Sequence, residues 1–518
     1  MATHQHITLK LLVNKTKNCV ALVESDLDFV DVLLSFLTLP VGTVVRLLNK
    51  QSSLGCFDKL YHGVEQLDKK YLVTAACKSM LTNPVSSSGV RCQKLKINVD
   101  EMGNLYTCIC KSCPHRTFSY YPSAKCLCGG DLHKSIRYDL NQDYVNYEEL
   151  HGVFIKGAKF AVTDDLSVSL IEHAMSSLNE CCNGDWGNME ERLVKIEQAQ
   201  VSFLFLPVPQ PIKMIKKLNV HMQVLQILKR SLVSDTPLSD VLLRNGEGIS
   251  PKFSVPLPVE KTVAIKASDK EKKIFRIKLA LMGNKVLYAE AAQDFVDVIF
   301  SFLAFPLGAL KKHLGSRFRI ACLNNLYGSA ELLASSGYVV SGCEERLLNP
   351  KLAPYFNCKH QVIGVEERKQ DVYYACPLRC KLSARRYYCH SHHFNRPNAK
   401  PAKLIDPKRH PRWSDSADGS YCKKLMYLVS DELVVVPLSL TAVISVSKEI
   451  SGTVKMAELG IAEEEVLDLL NAALSSKTAL TDAFLARVGS VPSSVERKGE
   501  SSIGWKRKRG RMNRVEES

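Results

Sequence analysis

Residues 28–42 read DFVDVLLSFLTLPVG, and residues 294–308 read DFVDVIFSFLAFPLG. Ten of these fifteen positions are identical at a constant offset of 266 residues. Identity of that density indicates a tandem duplication, and the apolar periodicity predicts one helix in each copy. Asp28 and Asp294 stand where a carboxylate stabilises a helix N-terminus, and the following Pro-x-Gly is expected to end each helix.

The repeat extends along most of the chain. Six further residues recur at the same offset, namely Cys56, Leu60, Tyr61, Cys77, Asn83 and Pro84. FAVTDDLSV from Phe160 recurs as YLVSDELVV, and SDTPLSDVLL from Ser234 recurs as SKTALTDAFL at offset 242. The smaller offset implies that the first copy has extra residues, which we expect between Asn179 and Met214, together with the vicinal Cys181–Cys182. A period this long indicates a duplicated domain, not a solenoid.

The local patterns favour an α+β fold with mainly antiparallel strands. ITLKLLVNKTKNCVALVES and FRIKLALMGNKVLYAEA each have apolar runs around a polar turn, which is typical of a hairpin. FAVTDDLSV predicts a second hairpin, with Asp164–Asp165 in its turn, and an amphipathic helix follows later in each copy. Strands and helices do not alternate as βαβ units, so a doubly wound sheet is disfavoured.

These observations predict two homologous domains, each with a small cysteine-rich insertion. The segments are a first repeat at 1–250 with a knuckle at 106–131, a linker at 251–272, a second repeat at 273–490 with a knuckle at 373–394 and a basic flexible linker at 395–412, and a disordered basic tail at 491–518.

Composition bounds the class of protein. The chain of 518 residues is 46% hydrophobic and 24% charged, which is ordinary for a soluble globular protein. The N-terminal sequence lacks a secretory apolar segment, and no stretch is long and apolar enough for a membrane span. We therefore expect a soluble intracellular protein of the cytoplasm, the nucleus or both. In a reducing compartment its 18 cysteines favour metal binding over disulfides.

A net charge of +16 raises the possibility of nucleic-acid binding. The segment 395–412 holds six Lys/Arg against one acidic residue, and the tail 491–518 holds eight against four. These two segments carry more than half of the excess, so the folded parts are only mildly basic.

The first cysteine-rich segment, YTCICKSCPHRTFSYYPSAKCLCGGDL, has the ligand types and spacing of a tetrahedral zinc site. Local spacing favours Cys110 with Cys113, but the repeat aligns Cys108 with Cys376 and puts a leucine opposite Cys110. The predicted ligands are therefore Cys108, Cys113, Cys126 and Cys128, with Cys110 as the alternate. Four thiolates leave no open coordination position, so the expected role of zinc is structural.

The second cysteine-rich segment predicts a related site. Its candidate ligands are Cys376, Cys380, Cys389 and His392, with His390 as the alternate. Ser391 stands at the position aligned with the fourth cysteine, so a neighbouring histidine must complete the set.

Motifs for catalysis are not found. The sequence has no phosphate-binding glycine loop, GxSxG or HExxH. The recurring Asp164–Asp165 and Asp431–Glu432 are candidates for acid–base work, but between two strands they are interpreted as turn residues, so the balance of these signals is against an enzyme. Lys506-Arg507-Lys508-Arg509 is a candidate nuclear import signal.

The quoted motifs, taken as a set over nearly the whole chain, resemble the plant family of domains of unknown function numbered 674. The resemblance implies a plant source and a soluble duplicated protein, and it implies no activity. The leading hypothesis is a non-enzymatic interaction or scaffold protein with structural zinc knuckles and protein partners. One alternative is a nuclear nucleic-acid-binding protein that uses the basic knuckle, linker and tail. Another is an enzyme with an unrecognised site.

Overall fold

The computed structural model describes residues 6–100, 104–110, 113, 115–138, 151–157, 159–174, 186–197, 221–244, 275–375, 381–384, 400–409, 419–447 and 453–488. The elements of the first copy are β1 (His6–Asn14), β2 (Cys19–Ser25), α1 (Leu27–Ser35), α2 (Val41–Leu47), α3 (Phe57–Gln66), α4 (Ala75–Thr82), α5 (Gly89–Cys92), β3 (Leu105–Thr107), β4 (Thr117–Ser119), β5 (Lys134–Tyr138), β6 (Phe160–Val162), β7 (Val168–Leu170), β8 (Met189–Glu197), α6 (His221–Ser231) and α7 (Pro237–Leu242).

The second copy repeats the order of the main elements, but its described residues hold no helix that corresponds to α5, and it has a helix at Leu440–Ser447 where the first copy has a 3-10 turn at Ile171–His173. Its elements are β9 (Phe275–Met282), β10 (Lys285–Ala292), α8 (Gln293–Ser301), α9 (Leu307–Leu314), α10 (Ala321–Ser335), α11 (Glu344–Leu348), β11 (Tyr373–Ala375), β12 (Lys381–Ser383), β13 (Lys400–Leu404), β14 (Met426–Ser430), β15 (Val435–Pro437), α12 (Leu440–Ser447), β16 (Lys455–Ile461), α13 (Glu463–Ser475) and α14 (Ala479–Val488).

Each copy has a five-stranded antiparallel sheet. The strand order is β7-β6-β2-β1-β8 in the first copy and β15-β14-β10-β9-β16 in the second. Both predicted hairpins form in each copy, and β1 buries alternate residues such as Ile7, Leu9 and Leu11, because one face of the sheet packs on the helices. The α+β class with antiparallel sheets is therefore confirmed.

The strands also locate the extra residues of the first copy. By their pairing with β1 and β9, β8 matches β16 at offset 265, whereas α6 matches α13 at offset 242, so the extra residues lie between Glu197 and His221. The expected start near Asn179 was too early, because β8 is part of the repeated sheet. Cys181–Cys182 precede the insertion and lie outside the described residues.

The segment with the strongest repeat forms two helices in each copy, not one. α1 ends at Ser35, a 3-10 turn follows at Phe36–Thr38, and Pro40 is the N-cap of α2. Pro40 and Gly42 were expected to end a helix, but they begin the next one, because proline fits the first positions of a helix. Asp28 lies in the first turn of α1, where its carboxylate pairs with Lys96 at 2.8 Å.

The same segment is where the two copies meet. Pro40 and Pro306 form an antiparallel bridge, flanked by hydrogen bonds from Val41 N–H to the Phe305 carbonyl and from Leu307 N–H to the Leu39 carbonyl, each 3.0 Å. A Cβ added to Gly42 would lie 3.0 Å from the carbonyl oxygens of Leu303 and Leu81. The repeated glycine therefore permits close approach of backbones near a local pseudo-twofold axis.

One hydrophobic core runs through both copies. Its largest cluster contains side chains of both sheets and of helices α1–α4 and α8–α11. Each copy makes the same hydrogen bond to the other. The Cys56 thiol donates to the Ser476 carbonyl, and the Cys322 thiol donates to the Ser234 carbonyl, each at 3.0 Å. Residues after the first helix pair of each copy thus pack against the C-terminal helices of the other.

A third sheet is built jointly by the two copies. Its six short strands close in the order β11-β12-β5-β3-β4-β13. Pairs within a copy are antiparallel, whereas β12 pairs with β5 and β13 pairs with β4 in parallel across copies. Phe118 and Tyr373 pack edge to face in its interior, with ring centroids 5.4 Å apart.

This sheet corrects one expectation from the sequence. Within the predicted flexible linker 395–412, residues 400–404 form β13, and Lys408 is buried with its ammonium donating to the Gly419 carbonyl at 2.8 Å. Ala402 and Leu404 point into the closed sheet while Lys400 and Lys403 are exposed. Composition suggested flexibility, but the short alternation is that of a strand.

Candidate metal centre

Four cysteines of the first copy are held at one end of the joint sheet. Cys108 directly follows β3, Cys113 precedes β4, and Cys126 and Cys128 lie on the turn before β5. A hydrogen bond from the Cys126 N–H to the Gly130 carbonyl, 2.8 Å long, closes this turn. Gly129 has a positive φ of 84°, a backbone conformation that residues with a side chain rarely adopt. An ion pair between Lys125 and Asp131 spans the base of the turn.

The four sulfur atoms converge on one point. All four lie within 4.8 Å of one another, and the Cys108–Cys128 and Cys113–Cys126 pairs are each 3.5 Å apart. A disulfide requires an S–S distance of about 2.05 Å, so these pairs are not disulfides. Zinc–sulfur bonds of 2.3 Å in a tetrahedron would place sulfurs about 3.8 Å apart, close to what is found.

Backbone amides are directed at the sulfurs. The N–H groups of Cys110, His115 and Gly130 hydrogen-bond to Cys108, Cys113 and Cys128, in each case two residues along the chain. Thr117 Oγ1 lies 3.1 Å from the fourth sulfur, that of Cys126. Such bonds stabilise the negative charge of thiolates, which are the form of cysteine that binds metal.

Burial has the opposite effect, because it favours the protonated, neutral form of a thiol. It raises the pKa of Cys108 to about 12 and also raises the pKa of Cys113, whereas the Gly130 N–H lowers the pKa of exposed Cys128 to about 7. A divalent cation at the centre would offset the burial penalty by keeping all four sulfurs as thiolates, with release of protons.

The surroundings of the cluster are apolar and include the second copy. Ala124, Leu132 and Ile405 pack against the buried sulfurs, and Ile405 N–H donates to the Phe118 carbonyl at 2.9 Å. A Cβ on Gly130 would meet the sulfurs of Cys108 and Cys128 at 3.3 and 3.4 Å. Three of the four cysteines are therefore buried, and only Cys128 is exposed to solvent.

Cys110, the alternate ligand, is exposed and is not among the four converging sulfurs. The structure thus brings together the set chosen from the repeat. The second predicted set (Cys376, Cys380, Cys389, His390, His392) lies outside the described residues, as do Lys506–Arg509. The flanking strands β11 and β12 are described, and they hold the positions in the second copy that β3 and β4 hold in the first.

A model of one protein family, described as "Protein of unknown function (DUF674)", matches residues 3–207 and again residues 212–460. The chain belongs to this family. No curated protein and no solved structure matches it. The four cysteines lie in the first segment matched by DUF674, and the strands that the second copy contributes to the joint sheet lie in the second.

In this DUF674 protein, the carboxylates suspected of acid–base chemistry support helix ends. Asp164 accepts hydrogen bonds from the N–H and hydroxyl of Ser239, and Asp431 accepts from Thr481 N–H at 2.8 Å and Thr481 Oγ1 at 2.7 Å. Both lie in hairpin turns and satisfy the N-terminal amides of α7 and α14. Burial raises the pKa of Asp164 to about 6.

Two buried carboxylates escaped the sequence interpretation. Asp31 accepts hydrogen bonds from the N–H groups of Val153, Phe154 and Ile155, and Asp297 accepts from those of Tyr421 and Cys422. Burial raises the pKa of Asp31 to about 7. The signal was present, since DFVDV recurs with both aspartates and the second one falls on an apolar helix face.

Across the described ranges, no helix is both long enough and apolar enough to cross a lipid bilayer.

Proposed function

We propose that Cys108, Cys113, Cys126 and Cys128 bind one structural zinc ion, and that the protein is a non-enzymatic interaction or scaffold protein. The single observation that carries the metal proposal is the convergence of these four sulfurs within 4.8 Å at tetrahedral spacing. Thiolate ligands select zinc or iron among the common metals, and a complete set of four excludes a bound water or substrate.

Zinc at this point would stabilise the joint sheet. The four ligands connect the ends of β3, β4 and β5, and two of these strands make the parallel pairs with the second copy. Each of the six strands is only three to five residues long, so their pairing alone gives little stability. A metal that holds three of these strands in place would therefore stabilise the part of the contact between the copies that this sheet forms.

The engaged carboxylates support the non-enzymatic part of the proposal. Asp164 and Asp431, the candidates for acid–base work, are both used by helix N-termini. A rigid two-copy body with closed metal coordination suits a surface for protein partners. Cys376, Cys380, Cys389 and His392, with His390 as the alternate, are the proposed ligands of a second zinc ion.

Metal analysis of the purified full-length protein tests the site. We expect Cys126→Ser to lower the zinc content by one equivalent per chain and to lower the melting temperature, because Cys126 is a fully buried member of the set. Cys110→Ser is the matched control and should retain both. Equal zinc content in wild type and Cys126→Ser would refute the site. A visible absorption band from thiolate–iron bonds would show that the bound metal is iron and not zinc.

Capture of partners from plant cells with and without nuclease tests the interaction role. Protein partners that remain after nuclease treatment support it. Partners that are lost after that treatment would instead indicate tethering by nucleic acid.

A basic face of the joint sheet favours nucleic-acid binding as a second candidate. Exposed cations lie on three strands of this sheet, the neighbouring β5 and β12 and, on the other side of β11, β13; they are Lys134, Arg137, Lys381, Lys400 and Lys403. Phosphate contacts by such residues give affinity that falls steeply with salt. Paired Lys400→Gln and Lys403→Gln substitutions should then weaken binding to a single-stranded oligonucleotide and reduce its salt dependence. Salt-independent binding, or binding unaffected by the substitutions, would eliminate this candidate.

A further inference from the structure

A recessed cavity of about 410 Å³ lies where the two copies and the joint sheet meet, away from the cysteine cluster. The first copy contributes the segment from Val85 through α5 to Lys94, and the second contributes Arg368–Tyr373 and Arg346 of α11. This volume is within the range of small-molecule sites, and an interface between repeated units is a common position for one.

The cavity lining is strongly cationic. It contains five cationic side chains and a single carboxylate, namely Arg91, Lys94, Arg346, Arg368, Lys369 and Asp371. The carboxylate of Asp371 is already engaged, since the Arg368 guanidinium donates to it at 3.0 Å. Arg368 also donates to the Ser87 carbonyl at 3.0 Å, so this guanidinium is held in place by both copies.

Arg346 is the most informative of these residues. Its guanidinium is half-buried, and within the described ranges it has neither an ion pair nor a hydrogen bond. Burial lowers the pKa of Arg346, and the positive charges of Arg368 and Arg91 lower it further. Like charges held together without an anion destabilise one another, so a bound anion would relieve this site.

Comparison of the copies shows that two of these arginines have uncharged counterparts in the other copy. At offset 266 the position of Arg346 corresponds to Met80, which is part of the hydrophobic core. Arg91 corresponds to Asn357 at the same offset. The repeated fold therefore accommodates an uncharged residue at either position, although Arg91 Nε here donates a hydrogen bond to the Val153 carbonyl at 2.6 Å.

Three tyrosines also line the cavity. They are Tyr120, Tyr138 and Tyr373, and the rings of Tyr138 and Tyr373 lie edge to face with centroids 5.9 Å apart. Burial raises the pKa of Tyr120, so its hydroxyl keeps its proton at neutral pH. A lining of guanidinium groups and aromatic rings suits a ligand with an anionic head and a less polar body.

We propose that this cavity binds the phosphate group of a small soluble phosphorylated molecule, with Arg346 and Arg91 as its direct ligands and Arg368 as a fixed neighbour. Arginine presents planar paired donors that match phosphate oxygens, and phosphate supplies the missing counter-charge. The proposal does not depend on zinc, because no lining residue is one of the four cysteines.

Calorimetry and thermal melting of the full chain, with its native metal, test this site. The probes are inorganic phosphate and pyrophosphate, compared with chloride at equal ionic strength. We expect pyrophosphate to raise the melting temperature and Arg346→Met, the residue of the other copy, to weaken its binding at least tenfold. Arg276→Met is the matched control, since Arg276 is exposed on β9 outside the cavity, and its effect should stay within twofold.

Stability in chloride separates ligand binding from a structural role. If Arg346 is held for a ligand, Arg346→Met melts at or above the wild-type temperature in chloride and below it in pyrophosphate. No binding of either phosphate beyond the chloride effect, equal losses in Arg346→Met and Arg276→Met, or a large loss of stability in chloride would each overturn the proposal. Preference for vesicles containing phosphatidic acid over pyrophosphate would overturn the assignment to a soluble ligand.

Discussion

Pro40 and Pro306 lie opposite each other at the centre of the molecule, each at the same position of its copy. Neither proline can donate a backbone hydrogen bond, and the residues after them do so across the interface: Val41 to Phe305 and Leu307 to Leu39, both at 3.0 Å. The stretch of sequence that is most alike in the two copies is therefore also one through which they contact each other.

Substitution of Gly42 by alanine tests this contact. The new Cβ would lie 3.0 Å from the carbonyl oxygens of Leu303 and Leu81. Leu81 belongs to α4 and Leu303 to the second copy, so relief of the clash would shift α4 or the contact between the copies. We expect the free energy of unfolding, measured in urea, to fall by about 1–3 kcal/mol. Gly328→Ala in α10 is the control, since its Cβ would meet nothing within 4 Å, and it should raise stability by up to about 1 kcal/mol.

The buried carboxylate of Asp31 predicts a pH dependence of stability. Its pKa is about 7 in the folded protein and about 3.9 in the unfolded chain, so the folded state holds the proton between these values. The contribution of Asp31 to stability therefore falls as pH rises from about 4 to about 7, by up to about 4 kcal/mol, and is constant above that. Asp31→Asn should lack this component.

Urea unfolding at pH 4.5, 6 and 7.5 measures the effect as the difference between wild type and Asp31→Asn. Asp28→Asn serves as the control one turn away, because Asp28 is part-exposed and pairs with Lys96 at 2.8 Å. It should leave the pH slope of the wild type in place. Parallel slopes for wild type and Asp31→Asn would contradict the assignment.

The turn carboxylate of Asp431 predicts a different pattern. Asp431→Ala removes the acceptor of two hydrogen bonds from Thr481 and should lower stability by about 1–2 kcal/mol. Its neighbour Glu432 is half-buried and lies 3.6 Å from Lys59 in a solvent-accessible ion pair, so Glu432→Ala should change stability by less than about 0.5 kcal/mol. Equal losses in the two variants would argue against the role of Asp431 at the start of α14.

Thiol labelling distinguishes the cysteines by environment. Burial raises the pKa of Cys56 to about 12, so only about 10⁻⁴ of it is thiolate at pH 8, and buried Cys322 has an equivalent place. Iodoacetamide on the native protein should modify exposed Cys110 and leave Cys56 and Cys322 unmodified, as read by peptide mass spectrometry. Labelling in denaturant is the control, and rapid native labelling of Cys56 would contradict its burial.

The period of the repeat and the strand patterns predicted the two hairpins of each copy. The hairpins formed by β1 with β2 and by β9 with β10 were evident because alternating apolar residues report directly on a half-buried strand. The choice of Cys108 over Cys110 also came from the repeat, because position 110 is matched by a leucine that cannot ligate a metal.

The arrangement of the copies could not be predicted in the same way. Pattern reports which face of an element is buried but not which copy covers it, and the contact of Cys56 with Ser476 joins residues 420 positions apart. The strand at Lys400–Leu404 was missed because five residues rich in lysine carry too weak an alternation. The arginine cavity was missed because its lining comes from eight separate stretches of the chain.

The parallel pairs of the joint sheet also set a timetable for folding during synthesis. The partner of Thr117 is Lys403, and the partner of Arg137 is Lys381, so each edge of the first copy waits for residues that the ribosome has not yet made. At 5–20 residues per second, the roughly 240–290 intervening residues take about 10–60 s to appear. During that interval the nascent first copy presents unpaired strand edges and half of an apolar core, the kind of surface that promotes aggregation before folding is complete.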